Sequence, residues 1–457
     1  MRSVGYLISR KGSSLLIRGY PGTGKTLMAL SLIYSHRGDF FYISTRVSPE
    51  EILEIYPHLK EEIQRIKILD ASKEISLVDA TMRRFSKSDE ISDFLLSVRY
   101  EDKPAFIRAL VSLLRDSENP LVIIDSVEAI QESLGREILS DLLELSDEIG
   151  FSLVIIVERG EMGREDYLVD GVIELERRID DERVLRKMRI HKLRGCSIPQ
   201  PEYLFTLKDG KFRLFEPFSY EIPKESKLFE PLEDPDENRF SSGSEDLDEI
   251  FGGGFRKGSS ILLEISEGVT RRMYHRFVQS FYLNFLRRGR RVYLIPTLGT
   301  DKGEVINEMR PFLREEELKN LIFIEREWGK ERLRGEEAVK EADRIYERLV
   351  YEERKGSYED LHVTGVDASY SRYGEECIRV LEEGNAFVQE TRGLRIRIAK
   401  PGFPFMKELS NLSDIHIKME NFCNVPVIKG EKPKTQYYAM LVDLSEGFPK
   451  LRFEKVE

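Results

Sequence analysis

Ser14-Leu15-Leu16-Ile17-Arg18-Gly19-Tyr20-Pro21-Gly22-Thr23-Gly24-Lys25-Thr26 sets an apolar run, a glycine-rich loop and a lysine–threonine pair in immediate succession. That order decides the fold. Ser14 to Arg18 predicts a buried strand, and residues 26–35 repeat their apolar positions at helical spacing. Between them, glycines let backbone N–H groups turn inward around a phosphate. Lys25 brings a point charge to β- and γ-phosphates, the Thr26 hydroxyl suits Mg²⁺, and the following helix offers its positive end. Together these features predict an α/β unit that binds ATP or GTP, with Gly19, Pro21, Gly22, Thr23, Gly24, Lys25 and Thr26 around the ligand.

Outward from the loop, residues 40–44, 66–69, 121–124 and 152–157 read as strands alternating with helical stretches. That alternation predicts a mainly parallel sheet covered by helices. Segments 171–176, 185–191, 203–207 and 212–215 read as antiparallel strands added at one side. Leu121-Val122-Ile123-Ile124-Asp125 is four apolar residues ending in a carboxylate. A dry strand releasing an acid at the crevice suits Asp125 as the Mg²⁺-side acid, the alternative being a surface residue at a strand end. Lys192-Leu193-Arg194-Gly195 reads either as the basic end of a hairpin or as two cations reaching a phosphate on a neighbouring subunit.

The chain repeats itself. Lys11-Gly12-Ser13-Ser14-Leu15-Leu16 recurs as Lys257-Gly258-Ser259-Ser260-Ile261-Leu262. At that offset Gly22 falls on Gly268, while Gly24, Lys25 and Thr26 fall on Thr270, Arg271 and Arg272. Arg37-Gly38 before Phe41-Tyr42-Ile43 resembles Arg288-Gly289 before Val292-Tyr293-Leu294, Asp170 to Glu176 resembles Asp414 to Glu420, and Arg194-Gly195 before Tyr203 resembles Lys429-Gly430 before Tyr438. Four echoes in one order predict a duplicated domain: residues 1–217, an acidic, proline-containing linker over 218–238, and residues 239–457. The second loop, Ser266-Glu267-Gly268-Val269-Thr270-Arg271-Arg272, lacks the glycine pair and the lysine, and Glu267 would repel a phosphate. The second half is therefore expected to be degenerate, structural or partner-binding, with Asp367 as a possible echo of Asp125. Residues 332–353 read as a long charged helix.

The 457 residues suffice for two or three full cores. Charged residues make up 33% of the chain, above the usual ~25%, which suits either heat-adapted ion-pair networks or simply a charged surface. A net charge of −11 argues against a protein that coats nucleic acid. Two basic clusters remain: Arg287, Arg288, Arg290 and Arg291, and Arg177-Arg178 with Arg186, Lys187 and Arg189. They read as solvated charge or as contacts for nucleic acid or an acidic protein. No apolar run approaches ~18 residues, Met1-Arg2-Ser3-Val4 begins no signal peptide, and three scattered cysteines have no metal-ligand spacing. A cytoplasmic protein with no membrane segment is expected.

In order and content, the phosphate loop, Ser48-Pro49-Glu50-Glu51, the Asp125-Ser126 strand end, Asp170-Gly171-Val172 and Lys192-Leu193-Arg194-Gly195 resemble the RecA-like ATPases of the KaiC group. Ser242-Gly243, Leu247-Asp248 and Gly252-Gly253-Gly254 look like that family's entry segment. With Ile43 to Pro49 and the degenerate second half, the chain is most similar to the archaeal GvpD-type gas-vesicle regulators. The resemblance implies two RecA-like domains, ATP with Mg²⁺, nucleotides at subunit boundaries in a homo-oligomer, and regulation through a protein partner. Lys192 and Arg194 would then act on a neighbour's ATP. KaiC-like proteins carry paired glutamates after the second strand, where this chain has Arg46 and Val47. Slow or absent hydrolysis is expected, with Glu158 or Glu50 as substitutes. The alternatives are a DNA-repair accessory ATPase and a KaiC-like autokinase.

Overall fold

The computed structural model describes residues 2–44, 49–57, 59, 66–70, 105–115, 117–134, 137–324, 335–337, 340, 344 and 359–457. The chain divides into two compact units, Met1–Phe215 with Val456–Glu457, and Glu216–Lys455.

In the first unit the strands are β1 (Ser14–Arg18), β2 (Phe40–Ser44), β3 (Ile66–Asp70), β4 (Leu121–Asp125), β5 (Ser152–Val157), β6 (Gly171–Asp180), β7 (Arg183–Leu193), β8 (Glu202–Thr206) and β9 (Arg213–Leu214). They form one sheet in the order β3-β2-β4-β5-β1-β6-β7-β8-β9. Strands β1 to β5 pair in parallel, and near-continuous apolar runs bury β1, β2, β4 and β5 on both faces, as parallel strands require. Leu15 and Ile17 pack on one face with the helix Lys25–Ser31, while Leu16 joins the helix Leu139–Ile149 on the other. One expectation needs correction. β6 is not antiparallel throughout: it runs parallel to β1, level with Leu15 to Arg18, and only its pairing with β7 is antiparallel.

The second unit repeats this plan. After the short pair β10 (Arg239–Phe240) and β11 (Phe255–Arg256) come β12 (Ser259–Ile265), β13 (Val292–Ile295), β14 (Leu321–Phe323), β15 (Leu361–Gly365), β16 (Leu394–Ala399), β17 (Ile415–Phe422), β18 (Val425–Lys432), β19 (Tyr438–Asp443) and β20 (Lys450–Lys455). Their order, β14-β13-β15-β16-β12-β17-β18-β19-β20, matches the first sheet strand for strand.

Side-chain pins are repeated too. Asp170 Oδ2 accepts from Ser14 N and Oγ, both at 3.2 Å, and Asp414 Oδ2 accepts from Ser260 N at 2.8 Å and Oγ at 3.0 Å. A bulge follows Val172 in β6 and His416 in β17. It pairs Val172 with Lys192 and His416 with Lys432, so the partner of Lys192 in the second half is Lys432, and the sequence echo at Lys429 is out of register.

The core of the second unit is rich in phenylalanine, and Phe277, Phe281 and Phe285 line the 17-residue helix Arg271–Arg287. The stretch read as a linker lies on this unit. Phe229 is buried there, its N–H donates to Phe312 O at 2.9 Å, and Asn284 Oδ1 accepts from Leu232 N at 2.8 Å. Almost all of residues 332–353 lies outside the described residues. Among those described, no helix is long and apolar enough to cross a membrane.

Candidate functional site

The loop after β1 takes its shape from glycines that no other residue replaces. Gly19, Gly22 and Gly24 have φ of 155°, 76° and 101°. A Cβ on Gly19 would sit 2.8 Å from Thr23 Oγ1, and one on Gly24 would sit 2.8 Å from Leu207 Cδ1. Lys25 folds back into the loop, only 6% exposed, and its ammonium donates to Gly19 O at 2.7 Å and Tyr20 O at 3.1 Å. Burying an ammonium is costly unless it is hydrogen-bonded, and these carbonyls hold the place that phosphate oxygens would take. Thr23 Oγ1 donates to Tyr20 O at 2.8 Å.

Asp125 ends β4, one strand removed from β1, and its carboxylate reaches across. Oδ2 accepts from Thr26 Oγ1 at 2.6 Å and from Tyr42 Oη at 2.5 Å. Thr26 and Asp125 thus meet beside the ammonium-bearing loop, an all-oxygen pair of the kind that Mg²⁺ prefers. A glycine cradle, a buried lysine bonded to two loop carbonyls, and this oxygen pair together fit a Mg²⁺-nucleotide. Composition and motif give no hint of Tyr42. Its signal is indirect, since a hydroxyl inside the buried run Phe40-Phe41-Tyr42-Ile43 needs a partner. Burial, reinforced by the Asp125 charge, pushes the Tyr42 phenol well above its ordinary pKa, so it stays a donor. Tyr56 is raised by the same two causes.

Glu158 follows β5, whose Val157 pairs with Arg18, so Glu158 stands level with Gly19. Its N–H donates to Glu128 Oε1 at 2.9 Å, and Glu128 Oε2 is buried without a partner among the described residues. Glu128 went unnoticed in the sequence because it lies in no motif. Arg46 and Val47 lie outside the described residues. Glu50 is in the helix Pro49–Ile55, where Glu51 is exposed.

Lys192 and Arg194 are not beside this loop. Lys192 pairs with Val172, itself level with Leu16, and the Arg194 N–H bonds Asp170 O at 2.8 Å, at the end of β1 remote from Gly19. Lys192 Nζ donates to Asp166 O and Tyr167 O, both at 3.3 Å, and to Val169 O at 2.5 Å. Lys432 makes the matching bond to Ser413 O at 2.6 Å in the half without a complete loop, which marks a structural duty for this lysine. Arg194 is 63% exposed, paired to Asp170 at 3.0 Å.

In the second unit the loop is dismantled. β12 runs on through Ile265, the counterpart of Gly19, and Thr270 has φ −79° and ψ 157° where Gly24 is left-handed. Arg271, at the place of Lys25, turns instead to Glu304 at 2.6 Å and Gly299 O at 2.6 Å. Asp367 is not the echo of Asp125. The counterpart is Gly365, where a Cβ would meet Thr297 Cα at 2.5 Å; Asp367 sits in the next helix and pairs with Lys400 at 2.9 Å.

The basic cluster of the second unit is neutralised. Arg287 bonds Glu317 at 2.6 Å, Arg288 bonds Glu233 at 2.8 Å, Arg290 bonds Asp234 at 2.5 Å, and Arg291 Nε lies 3.8 Å from Asp360. It is therefore neither a solvated face nor a bare nucleic-acid surface. Two of its partners belong to the acidic stretch before the domain.

Residues 8–217 match the family model described as ATPase: KaiC. That match spans nearly all of the first unit, which is a KaiC-like family domain of RecA-like fold, and the second unit repeats the fold without a complete loop. The chain is similar to Protein GvpD2 of Halobacterium salinarum, 26% identical over 98% of this chain and 94% of that protein. Protein GvpD1 of the same organism is 28% identical over 67% of this chain and 58% of its own length. The circadian clock oscillator protein KaiC 1 of Synechocystis is 28% identical over 55% of this chain, which spans about half of that relative.

Proposed function

We propose that the chain is a nucleotide-dependent regulator whose first unit binds one Mg²⁺-ATP and whose output is a protein partner. The observation that carries this reading is the Thr26–Asp125 bond at 2.6 Å beside the loop that buries Lys25, set against a second unit in which each of those features is lost. Gly19 and Pro21 would shape the turn, Gly22, Thr23 and Gly24 would wrap the phosphates with their N–H groups, Lys25 would exchange loop carbonyls for phosphate oxygens, and Thr26 with Asp125 would hold Mg²⁺. The metal supplies charge neutralisation between phosphates. Binding needs none of the acids that activate water, so a switch survives where hydrolysis is slow. The likeness to GvpD2 and GvpD1 supports regulation rather than metabolism, and the likeness to KaiC supports an oligomeric assembly in which Arg194 faces a neighbour. Ion pairing of Arg287, Arg288 and Arg290 speaks against a DNA-repair accessory role.

The test is ATP binding and turnover by the full chain, with Lys25→Ala as the blank. Saturable binding lost in the blank, with turnover near it, supports the switch. Turnover of several per second makes the protein a working ATPase, and no binding at all overturns the reading.

A further inference from the structure

The basic cluster of the first unit has a different fate from that of the second. Arg177 on β6 and Arg186 on β7 are directly opposite each other in the register, an arrangement that like charges disfavour. Arg186 Nη1 donates to Gly22 O at 3.0 Å and Thr23 O at 3.3 Å, on the phosphate loop itself. The Arg177 Nη1 stands over the same turn, 3.4 Å from where a Gly22 Cβ would project. Arg186 Nε is buried and has no partner among the described residues. Burial, then the neighbouring Arg177, pulls the Arg186 guanidinium down to about 10, partly offset by Glu457.

We infer that Arg177 and Arg186 form an outer anion subsite of the phosphate loop, reading the charge of the nucleotide's phosphate chain. This inference rests on the nucleotide reading above. Each part has a physical reason. A cation bonded to a peptide carbonyl makes the N–H of the same peptide a stronger donor, because hydrogen-bonded dipoles polarise one another. The carbonyls of Gly22 and Thr23 share peptides with the N–H groups of Thr23, which here donates to Tyr20 O at 3.3 Å, and of Gly24, donors of the kind that cradle phosphate in such a loop. Arg186 is thus a positioning residue that sharpens the loop's donors. Arg177 adds field at the same turn, and the repulsion between the two, partly offset by Glu457, falls further when an anion arrives. The pair therefore favours more highly charged ligands: triphosphate over diphosphate over monophosphate.

The test is calorimetric titration of the full chain with Mg²⁺-ATP, ADP and AMP, alongside thermal melts without ligand. Arg186→Gln should weaken ATP about tenfold, ADP less and AMP little. Arg177→Ala, which removes an exposed side chain, should raise the ligand-free melting temperature while lowering the ATP-to-AMP affinity ratio. A merely structural pair would instead lower the melt and leave the ratio unchanged, which overturns the inference. If Arg186→Gln fails to fold, Arg177→Ala alone decides. Salt-dependent binding of an oligonucleotide lost in Arg177→Ala, with ATP affinity intact, also overturns it. A wild-type chain that binds no ATP would sink the nucleotide reading itself, a result distinct from wild-type binding that these variants leave untouched.

Discussion

Single residues carry the site, and their contacts fix what each substitution should do. Tyr42→Phe removes one of the two donors to Asp125 Oδ2 and leaves Thr26 in place. It should cost about 1 kcal/mol in chemical denaturation and leave ATP affinity within a few-fold of wild type. Gly24→Ala forces a Cβ onto Leu207 at a φ of 101°, so ATP binding should fall at least about tenfold while the circular dichroism spectrum holds. Glu128 and Glu158 share one hydrogen bond at the level of Gly19. Any residual turnover should drop to the Lys25→Ala blank in Glu158→Gln or Glu128→Gln, and an unchanged rate in both would place the active carboxylate elsewhere. At this scale Gly24, Lys25 and Asp125 stand out in the sequence because each belongs to a local motif. No motif singles out Tyr42 or Glu128, and Arg186 shows only as one member of a basic cluster, because their contacts join segments far apart in the chain.

At the scale of elements, the acidic stretch before the second unit and the arginines after its long helix form one device. Asp234, 12% exposed, meets Arg290 at 2.5 Å, Lys257 at 3.8 Å and Arg288 at 3.9 Å. Asp234→Asn leaves those cations under-compensated in a half-buried place and should destabilise the second unit by about 2–4 kcal/mol in urea. Composition alone made one group a linker and the other a surface cluster, because pairing over some fifty residues leaves no periodic trace. The helix Arg271–Arg287 has a pH consequence. Burial, then Arg276 and Arg271, lowers His275 to about 4, so the folded state holds it neutral while an unfolded histidine titrates near 6.5. Stability is whole above pH 6.5 and declines as pH falls towards 4. Glu264, lowered to about 2 chiefly by its hydrogen bond to His416, adds about 3 kcal/mol that is lost between roughly pH 4.5 and 2. Melts from pH 7 to 3 should show the second unit failing first, and His275→Phe should flatten the upper part of that decline.

Taken whole, the molecule is one plan executed twice with one loop retained. Equilibrium dialysis should therefore find one ATP per chain. A triple change of Glu267→Gly, Thr270→Gly and Arg271→Lys should not create a second, because β12 continues through Ile265 and Gly365 offers no acid. The duplication was legible from short echoes because strand starts and their pins repeat. Its register near Lys192 was not, since the connection from β7 to β8 is longer than that from β18 to β19, and a basic residue before glycine matches there at the wrong offset. The two copies also differ where they are most alike. In β1 and β6, Arg18 lies beside Glu174 at 3.2 Å, while the same positions of β12 and β17 hold Glu264 and Lys418 at 2.8 Å with the signs exchanged. Tandem copies of one fold risk trading strands as they fold. Here β1 pairing with β17 would set Arg18 against Lys418, and β12 pairing with β6 would set Glu264 against Glu174. The inverted polarity is a keyed connector that disfavours each half closing on the other's strand.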